Sequence, residues 1–488
     1  MGYMRDNDFD VIVLGGGPGG STLATLVAMQ NHKVLLLERE RFPRYQIGES
    51  LLPTTVHGIC AMLGVTGELE QAGFPIKRGG MFLWGKNPTP WDVSFDNSPA
   101  LRELGFTTAY QVERMKFDNI LLENAKRKGV RVLEEHQVVD LIAGEGSNRI
   151  SGVRFLDSQG RECTATARYV VDGMGHRSHL YSRAGERIYS KHFQNAALHC
   201  YYTGGRRFPH PRDGNILSAA FPYGWFWYIP LSSTITSVGA VIAREHFDKL
   251  QNDHEEAMRG FIEACPVIQE LLSNATRVTE GIYGRFRVRK DYSYCNTRFW
   301  IPGFALIGDA ACFIDPLFSS GVHLATYSAL LAARAINTCL RERLDEGRCF
   351  GEFESRYRLA YTQFHDLLVN LYDACEQEDS YFWKARKILG SPAEETPAQA
   401  FVRLVSGLAR AEQDFEPAAG APHGNDAGGK FRDALHSYLH ATENEKRQIS
   451  QQARLGEVPD PDKPLFQGGL IPSRDGFHWC EPERFSSL

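Results

Sequence analysis

Five glycines and a proline, Gly15-Gly16-Gly17-Pro18-Gly19-Gly20, separate the apolar run Asp10-Val11-Ile12-Val13-Leu14 from a helical pattern extending from Ser21 to Gln30. A chain that leaves a short buried strand through such a turn and re-enters as a helix has few folds open to it. Lys33-Val34-Leu35-Leu36-Leu37-Glu38 supplies a second apolar run. The segment therefore predicts a right-handed βαβ unit of about thirty residues in a parallel sheet buried on both faces. Within the turn, Gly15-x-Gly17-x-x-Gly20 has the glycines needed for a sharp bend, for close approach of backbone to a pyrophosphate, and for tight helix–strand contact. Glu38 ends the second strand, where a carboxylate can accept ribose hydroxyls. A dinucleotide site is expected around Gly15, Gly17, Pro18, Gly20 and Glu38.

Composition narrows the class by exclusion. At 488 residues, 43% hydrophobic and 23% charged, the chain has apolar material for two or three cores. Its 54 basic and 59 acidic residues balance to −5, and without a long Lys/Arg run nothing favours a nucleic-acid partner. The ten cysteines contain no Cys-x-x-Cys pair, which argues against zinc, or any other metal centre, and against a disulfide framework; a reduced cytoplasm is the expected setting. Met1 to Asp10 has no leader-like pattern, and no run of about eighteen apolar residues occurs, so no membrane is expected.

Further along, Val130 to Leu133, Gln137 to Leu141, Ile150 to Phe155 and Ala167 to Asp172 read as strands of an antiparallel excursion that returns to the main sheet. Tyr201 to Val241 is again β-rich and predicts a second sheet covering the first from the substrate side. After Val322, Leu324, Tyr327, Leu330, Leu331 and Ile336 fall on one helical face, and helices are expected to about Arg386. Pro417 to Gly429, within a flexible stretch near 413–430, has loop composition. The expected architecture is α/β: a Rossmann-like parallel-sheet domain with a mixed β-sheet substrate layer, together residues 1–348, and a mainly helical C-terminal region, 349–488.

The choice of dinucleotide is indicated at Gly308-Asp309-Ala310, after the buried run Phe304 to Ile307, where an aspartate can bind a ribityl chain. With Asp172-Gly173-x-Gly175-x-x-Ser178 and Glu113-Arg114-x-x-Phe117-Asp118, the sequence up to this point resembles the class A flavoprotein monooxygenases and their relatives.

The resemblance narrows to the FADH2-dependent halogenases on four further strings. Gly224-Trp225-Phe226-Trp227-Tyr228-Ile229-Pro230 reads W-x-W-x-I-P, and Ile47-Gly48-Glu49-Ser50-Leu51-Leu52-Pro53 looks like that family's flavin strap. Lys77, shortly before Phe82-Leu83-Trp84-Gly85, stands where the family carries its catalytic lysine. Asp315-Pro316-Leu317-Phe318-Ser319-Ser320-Gly321-Val322 looks like its halide and isoalloxazine loop. Taken alone, Trp-x-Trp in an aromatic strand is ordinary core packing. Beside a flavin its bulk would act by exclusion rather than bond-making.

This resemblance implies FAD supplied as FADH2, with O2 and chloride or bromide, and halide attack on a flavin C4a-hydroperoxide. It places halide at Ser320 and Gly321, and flavin contacts at Glu49, Ser50, Arg114, Asp309 and Val322. It makes Trp225, Trp227 and Phe318 the wall of a channel carrying hypohalous acid to Lys77. No second dinucleotide fingerprint occurs, so a separate NAD(P)H-dependent flavin reductase is the implied partner. Members acting on free tryptophan carry a glutamate in the substrate pocket or near this loop. This chain has Phe318 in the loop, which favours a phenol or pyrrole, carried in some such members on an acyl or peptidyl carrier protein in natural-product, including antibiotic, biosynthesis. A hydroxylating monooxygenase or prenyl reductase of the same fold, and a non-catalytic flavin-binding scaffold, remain open at this point. His323 and Cys312 are expected to be packed rather than reactive, and Glu376 to Asp379 to be a solvated helix face.

Overall fold

The computed structural model describes residues 9–84, 90–250, 253–373, 402, 406 and 469–482. The glycine turn forms as its sequence dictates: β1 (Phe9–Leu14), helix α1 (Pro18–Ala28) and β2 (Val34–Leu37), with β1 and β2 parallel and Leu14 opposite Leu37. Proline opens α1 at a position whose N–H needs no helical partner. Val11 to Leu14 and Val34 to Leu37 are all buried, as expected where helices or a second layer cover both faces.

The segment Glu162–Asp172 shows how one strand serves two sheets. Its first half pairs antiparallel with Ile150–Leu156, and its second half runs parallel to β1 and to Phe304–Leu306. Burial follows this change, alternating along the first half and continuous from Tyr169 to Asp172. The antiparallel excursion is thus present, with one correction. Arg131–Leu133 is not part of it but pairs parallel with β2 at the edge of the flavin-type sheet.

A second, mixed sheet includes β3 (Arg187–Thr203), β4 (Gly224–Pro230), β5 (Ile235–Ala243), β6 (Arg287–Asn296) and β7 (Cys312–Phe313). In space it runs from β7 through β6, β3, β5 and β4 to Ile216–Phe221, Gly79–Leu83 and Trp91–Ser94. The W-x-W-x-I-P string is β4, inside this sheet, between β5 and Ile216–Phe221.

Helix α2 (Ser320–Leu340) is followed after a short break by α3 (Glu346–Asp373). The apolar stripe read on α2 is real, but Thr326, Ser328, Arg334 and Asn337 are buried as well. The cause is that α2 is covered on several sides, by α1, by α3 and by a hairpin of Ile471–Pro472 with Trp479–Cys480. Several of its polar side chains bond within the helix or to that hairpin. Arg334 Nε donates to Gly476 O at 2.8 Å, Asn337 Nδ2 to Phe477 O at 3.0 Å, and Trp479 N to Thr338 Oγ1 at 2.8 Å. Trp479 lies between the guanidinium groups of Arg334 and Arg356, at 5.2 and 5.1 Å. The expected helix end near Arg386, the loop near 413–430 and Glu376 to Asp379 lie outside the described residues. Helix α3 runs across the expected boundary between 348 and 349.

Candidate active site

One cavity of about 800 Å³ lies between the two sheets. Its floor is the glycine turn. Gly15 has φ +95°, and a Cβ there would come within 2.7 Å of Gly173 O; a Cβ on Gly20 would overlap Gly15 O at 1.9 Å. Only glycine lets the helix start and the strand end approach so closely. Gly16 N donates to Glu38 Oε2 at 2.7 Å and Glu40 N to Oε1 at 2.8 Å. Backbone bonds thus fix the Glu38 carboxylate at the cavity wall with acceptor capacity to spare for ribose hydroxyls.

The strap crosses the cavity under the control of Arg114. Its Nε and Nη2 grip Asp118 at 2.7 and 2.9 Å, while Nη1 donates to Ile47 O at 2.6 Å and Gly48 O at 3.2 Å. Glu49 Oε2 and Ser50 Oγ, both in residues that line the cavity, are buried without a hydrogen-bond partner among the described residues. Such atoms call for a polar ligand. Asp309 also lines the cavity and accepts from Arg289 at 3.4 Å. A glycine cradle, a ribose-accepting carboxylate and unpartnered strap atoms together fit a flavin dinucleotide.

Both indoles of β4 line the same cavity, and their N–H groups are tethered to α3 and to β5. Trp225 Nε1 donates to the Tyr372 hydroxyl at 2.6 Å, and that hydroxyl donates to Asp315 Oδ2 at 2.8 Å. Trp227 Nε1 donates to Ser237 Oγ at 3.1 Å, and Ser237 stands beside the Glu49 carboxylate. Exclusion by bulk is therefore only part of what the motif does, since its N–H groups also tie the wall to the halide-type loop and to the strap.

That loop ends in a left-handed residue, Ser319 at φ +59°, from which α2 begins. No side chain among the described residues caps this end of α2, leaving its first N–H groups available to an anion. Gly321 and Val322 line the cavity, and a Cβ on Gly321 would meet nothing within 4 Å. Ser320 is buried, and its side chain lies outside the cavity wall. Asp315 accepts from Leu317 N at 3.0 Å and from Asn195 Nδ2 at 3.0 Å, and burial pushes its pKa up to about 6.

Lys77 lies outside this cavity, 3% exposed. It sits on the two-residue strand Ile76–Lys77, which pairs with Ala109–Tyr110. Nζ donates to Leu51 O at 3.0 Å and lies 5.6 Å from the centre of the Phe95 ring, and burial lowers its pKa to about 7. Phe318 also stands back from the cavity, against Phe82 with ring centres 6.0 Å apart. The structure thus gathers Gly15, Gly17, Pro18, Glu38, Glu49, Ser50, Arg114, Asp309, Gly321, Val322, Trp225 and Trp227 around one space. Gly20 supports it from behind.

Sequence reading missed Tyr372 and the Tyr201–Tyr45 pair here. Tyr372 had no motif to mark it. Tyr201 donates to Glu49 Oε1 at 2.7 Å and bonds the Tyr45 hydroxyl at 2.7 Å, which also reaches His199 Nε2 at 3.1 Å. Glu49 itself is a titrating group, its pKa raised to about 7 by burial against the opposing Ser237 and Tyr201 hydrogen bonds. His323, by contrast, is packed as expected, stacked on Tyr327 with Thr54 and Thr55 hydroxyls at 3.4 Å.

The Tryptophan halogenase family profile matches residues 10–108 and 97–418. Over 407 residues the chain is 32% identical to the tryptophan 2-halogenase of Chondromyces crocatus, covering 82% of this chain and 75% of that protein. Over 388 residues it is 30% identical to the 1H-pyrrole-2-carbonyl-(peptidyl-carrier protein) chlorinase of Pseudomonas fluorescens, covering 76% of this chain and 84% of the chlorinase. Among solved structures, the myxobacterial chondrochloren halogenase, described as a variant of FAD-dependent halogenases, superposes with a TM-score of 0.77 at 51% identity, over 97% of this chain and 100% of that one. No helix among the described residues is long and apolar enough to cross a membrane.

Proposed function

The chain belongs to the tryptophan halogenase family and is a flavin-dependent halogenase, and from that premise we propose how its residues divide the work. Ser320 and Gly321 hold the halide, Trp225, Trp227 and Phe318 wall the path of the hypohalous acid formed there, and Lys77 delivers it to an electron-rich ring. When bound, reduced FAD supplies the two-electron activation of O2 that oxidises the halide.

The observation that carries this reading is the state of Lys77. An ordinary lysine is protonated and has no lone pair for an electrophilic halogen. Burial with a pKa of about 7 leaves about half of the amine neutral at neutral pH. Its bond to Leu51 O holds it at the end of the strap whose Glu49 and Ser50 line the flavin cavity.

Halide binding draws on the first N–H groups of α2 and the positive end of its dipole, worth roughly half an elementary charge. Asp315 would oppose an anion if it were bare. Its three hydrogen bonds and raised pKa blunt that repulsion.

Phe318 packs against Phe82, and the loop's one carboxylate, Asp315, is buried and engaged. With no base offered in the loop, an acceptor is favoured that stabilises its own cationic intermediate, as phenols and pyrroles do, free or on a carrier protein. Reduced flavin comes from a separate flavin reductase, and the product belongs to natural-product biosynthesis. The relative named a tryptophan 2-halogenase makes free tryptophan the competing acceptor to include.

The test is aerobic incubation with a flavin reductase, NADH, FAD and chloride or bromide, offering phenols, pyrroles and tryptophan, free and carrier-bound. Mass spectrometry should find the halogen isotope pattern on a phenol or pyrrole with native protein and none with Lys77→Ala. Gain of a single oxygen instead would make the enzyme a hydroxylase, and halogenation unaffected by Lys77→Ala would remove the role given to that residue.

A further inference from the structure

We propose that Cys295 and Cys312 form a redox-active dithiol that reduces hypohalous acid leaking from the halide loop, and so constitute an oxidative modification site behind that loop. The inference rests on the enzyme making hypohalous acid, as proposed above.

The two cysteines face each other across β6 and β7, Cys295 opposite Cys312. The neighbouring pair is joined by Asn296 N donating to Ala311 O at 2.9 Å. In an antiparallel ladder the bonded and non-bonded pairs alternate, so Cys295 and Cys312 occupy a non-bonded pair, with Cα atoms about 4.5 Å apart and side chains at their closest. That separation lies within the range of about 4.4–6.8 Å that a disulfide spans.

A donor is also in place to activate one sulfur. Arg358 Nη1 donates to Cys295 Sγ at 3.3 Å, and the guanidinium is held by Glu354 Oε1 at 2.9 and 2.6 Å and by Asn296 O at 2.8 Å. Burial works against a Cys295 thiolate, but the hydrogen bond from the Cys312 thiol and the Arg358 charge outweigh it and bring the thiol below its ordinary pKa. Cys295 is therefore the first of the two to give up its proton, while burial and the neighbouring Cys295 sulfur push Cys312 well above its ordinary pKa.

Cys295 and Cys312 are 1% and 2% exposed and do not themselves line the flavin cavity, but Phe313 and Ile314, next in the chain to Cys312, form part of its wall, so the pair lies directly behind that wall. The chemistry balances without another reagent. The Cys295 sulfur attacks the halogen, forming an S–halogen bond as the halogen–oxygen bond breaks and hydroxide leaves. The Cys312 sulfur then displaces halide, forming the S–S bond, and its proton neutralises the hydroxide to water. Two sulfurs each give one electron, and the halogen is reduced to halide.

A second pair in the same molecule serves as a control. Cys339 and Cys349 also hydrogen-bond each other, but Cys339 borders a separate surface cavity with Arg149 and Glu346. It stands near the far end of α2, about 28 Å along the helix from Ser320 at 1.5 Å per residue.

The full-length enzyme, loaded with FAD, is turned over with flavin reductase, NADH, O2 and chloride without an acceptor, then acid-quenched, alkylated and mapped by mass spectrometry. A parallel reaction containing a soluble phenol reports hypohalous acid in solution. The expected result is a Cys295–Cys312 disulfide that depends on chloride while Cys339 and Cys349 stay reduced. A pair that stays reduced while phenol is chlorinated overturns the inference. So does a disulfide equally abundant without chloride, or one matched by oxidation of Cys339 and Cys349. If neither phenol nor the dithiol is oxidised, the proposed function fails instead. Slow infusion of hypochlorous acid into the Cys339→Ser, Cys349→Ser double variant then decides the dithiol by itself, formation of the Cys295–Cys312 disulfide supporting it and its absence overturning it.

Discussion

Lys77 donates from Nζ to the carbonyl oxygen of Leu51 at 3.0 Å, so the amine and the flavin strap are mechanically one piece. Strap and lysine share a second link, because Leu51 N donates to Tyr110 O and Ala109–Tyr110 is the strand paired with Ile76–Lys77.

Halogenation by Lys77→Ala is expected to fall by at least about 10²-fold while flavin oxidation continues. Lys77→Arg should be no better, because arginine keeps its proton at all working pH values. With burial holding Lys77 at about 7, halogenated product per FADH2 oxidised should rise as pH increases through 7 and the amine becomes neutral. A ratio that falls over pH 6–8 would contradict delivery through the neutral amine.

Glu49 offers a separate pH test. Its folded pKa, about 7, lies above the unfolded value, so between the two the folded protein binds more protons and stability is lost as pH rises. Glu49→Gln removes that loss. Its stabilisation over the native flavin-free protein should grow from near zero at pH 4.5 to as much as about 3 kcal/mol at pH 8. The difference between the two proteins is the readout, since His176 and His199, pushed down to about 3 by burial and nearby arginines, act in the opposite sense in both. A difference in melting temperature that is flat with pH would refute the assignment.

Tyr372→Phe keeps the ring against Trp84 and Phe193 but removes the link between Trp225 and Asp315. Losing these bonds should cost about 1–2 kcal/mol in stability and raise the chloride concentration for half-maximal rate severalfold. An unchanged chloride dependence would confine Tyr372 to packing.

A Cβ on Gly239 would come within 2.2 Å of the Trp227 indole. Gly239→Ala should therefore destabilise by about 1–3 kcal/mol and weaken flavin binding, read by fluorescence quenching, because Trp227 lines the cavity. Gly260→Ala, in the helix His254–Glu263 with nothing within 4 Å of the added carbon, is the control and should be neutral or stabilising.

What could be read from the sequence divides along the range of the forces involved. The βαβ unit was legible because Gly15, Gly20 and the two apolar runs are local, and a turn with φ +95° at Gly15 leaves glycine little competition. The strap, the lysine and the halide-type loop were legible only as family strings; their assembly depends on bonds between residues far apart, such as Arg114 to Ile47. Tyr372 could not have been found, since a tyrosine near the end of a long helix carries no signal until its hydroxyl meets Trp225 and Asp315. The single apolar stripe read on α2 understated its burial, because periodicity does not foresee a hairpin that supplies polar partners to the opposite face.

Trp479→Ala, removing an indole held between two guanidinium groups, should cost about 3–5 kcal/mol. Limited proteolysis should then release the C-terminal hairpin before the flavin domain is cut. Equal protease resistance in the variant would show the hairpin to be dispensable.

The hairpin's contact with α2 also sets an order of events during synthesis. Trp479 N bonds Thr338 Oγ1 across 141 residues of chain, so on a ribosome adding about 5–20 residues per second, α2 waits roughly 7–28 s for the segment that covers it. Throughout that interval Arg334 and Asn337 face outward from a nascent chain whose glycine turn has long been complete. The glycine turn of the cofactor cradle is thus made long before the face of α2 that carries Arg334 and Asn337 gains its hairpin partners.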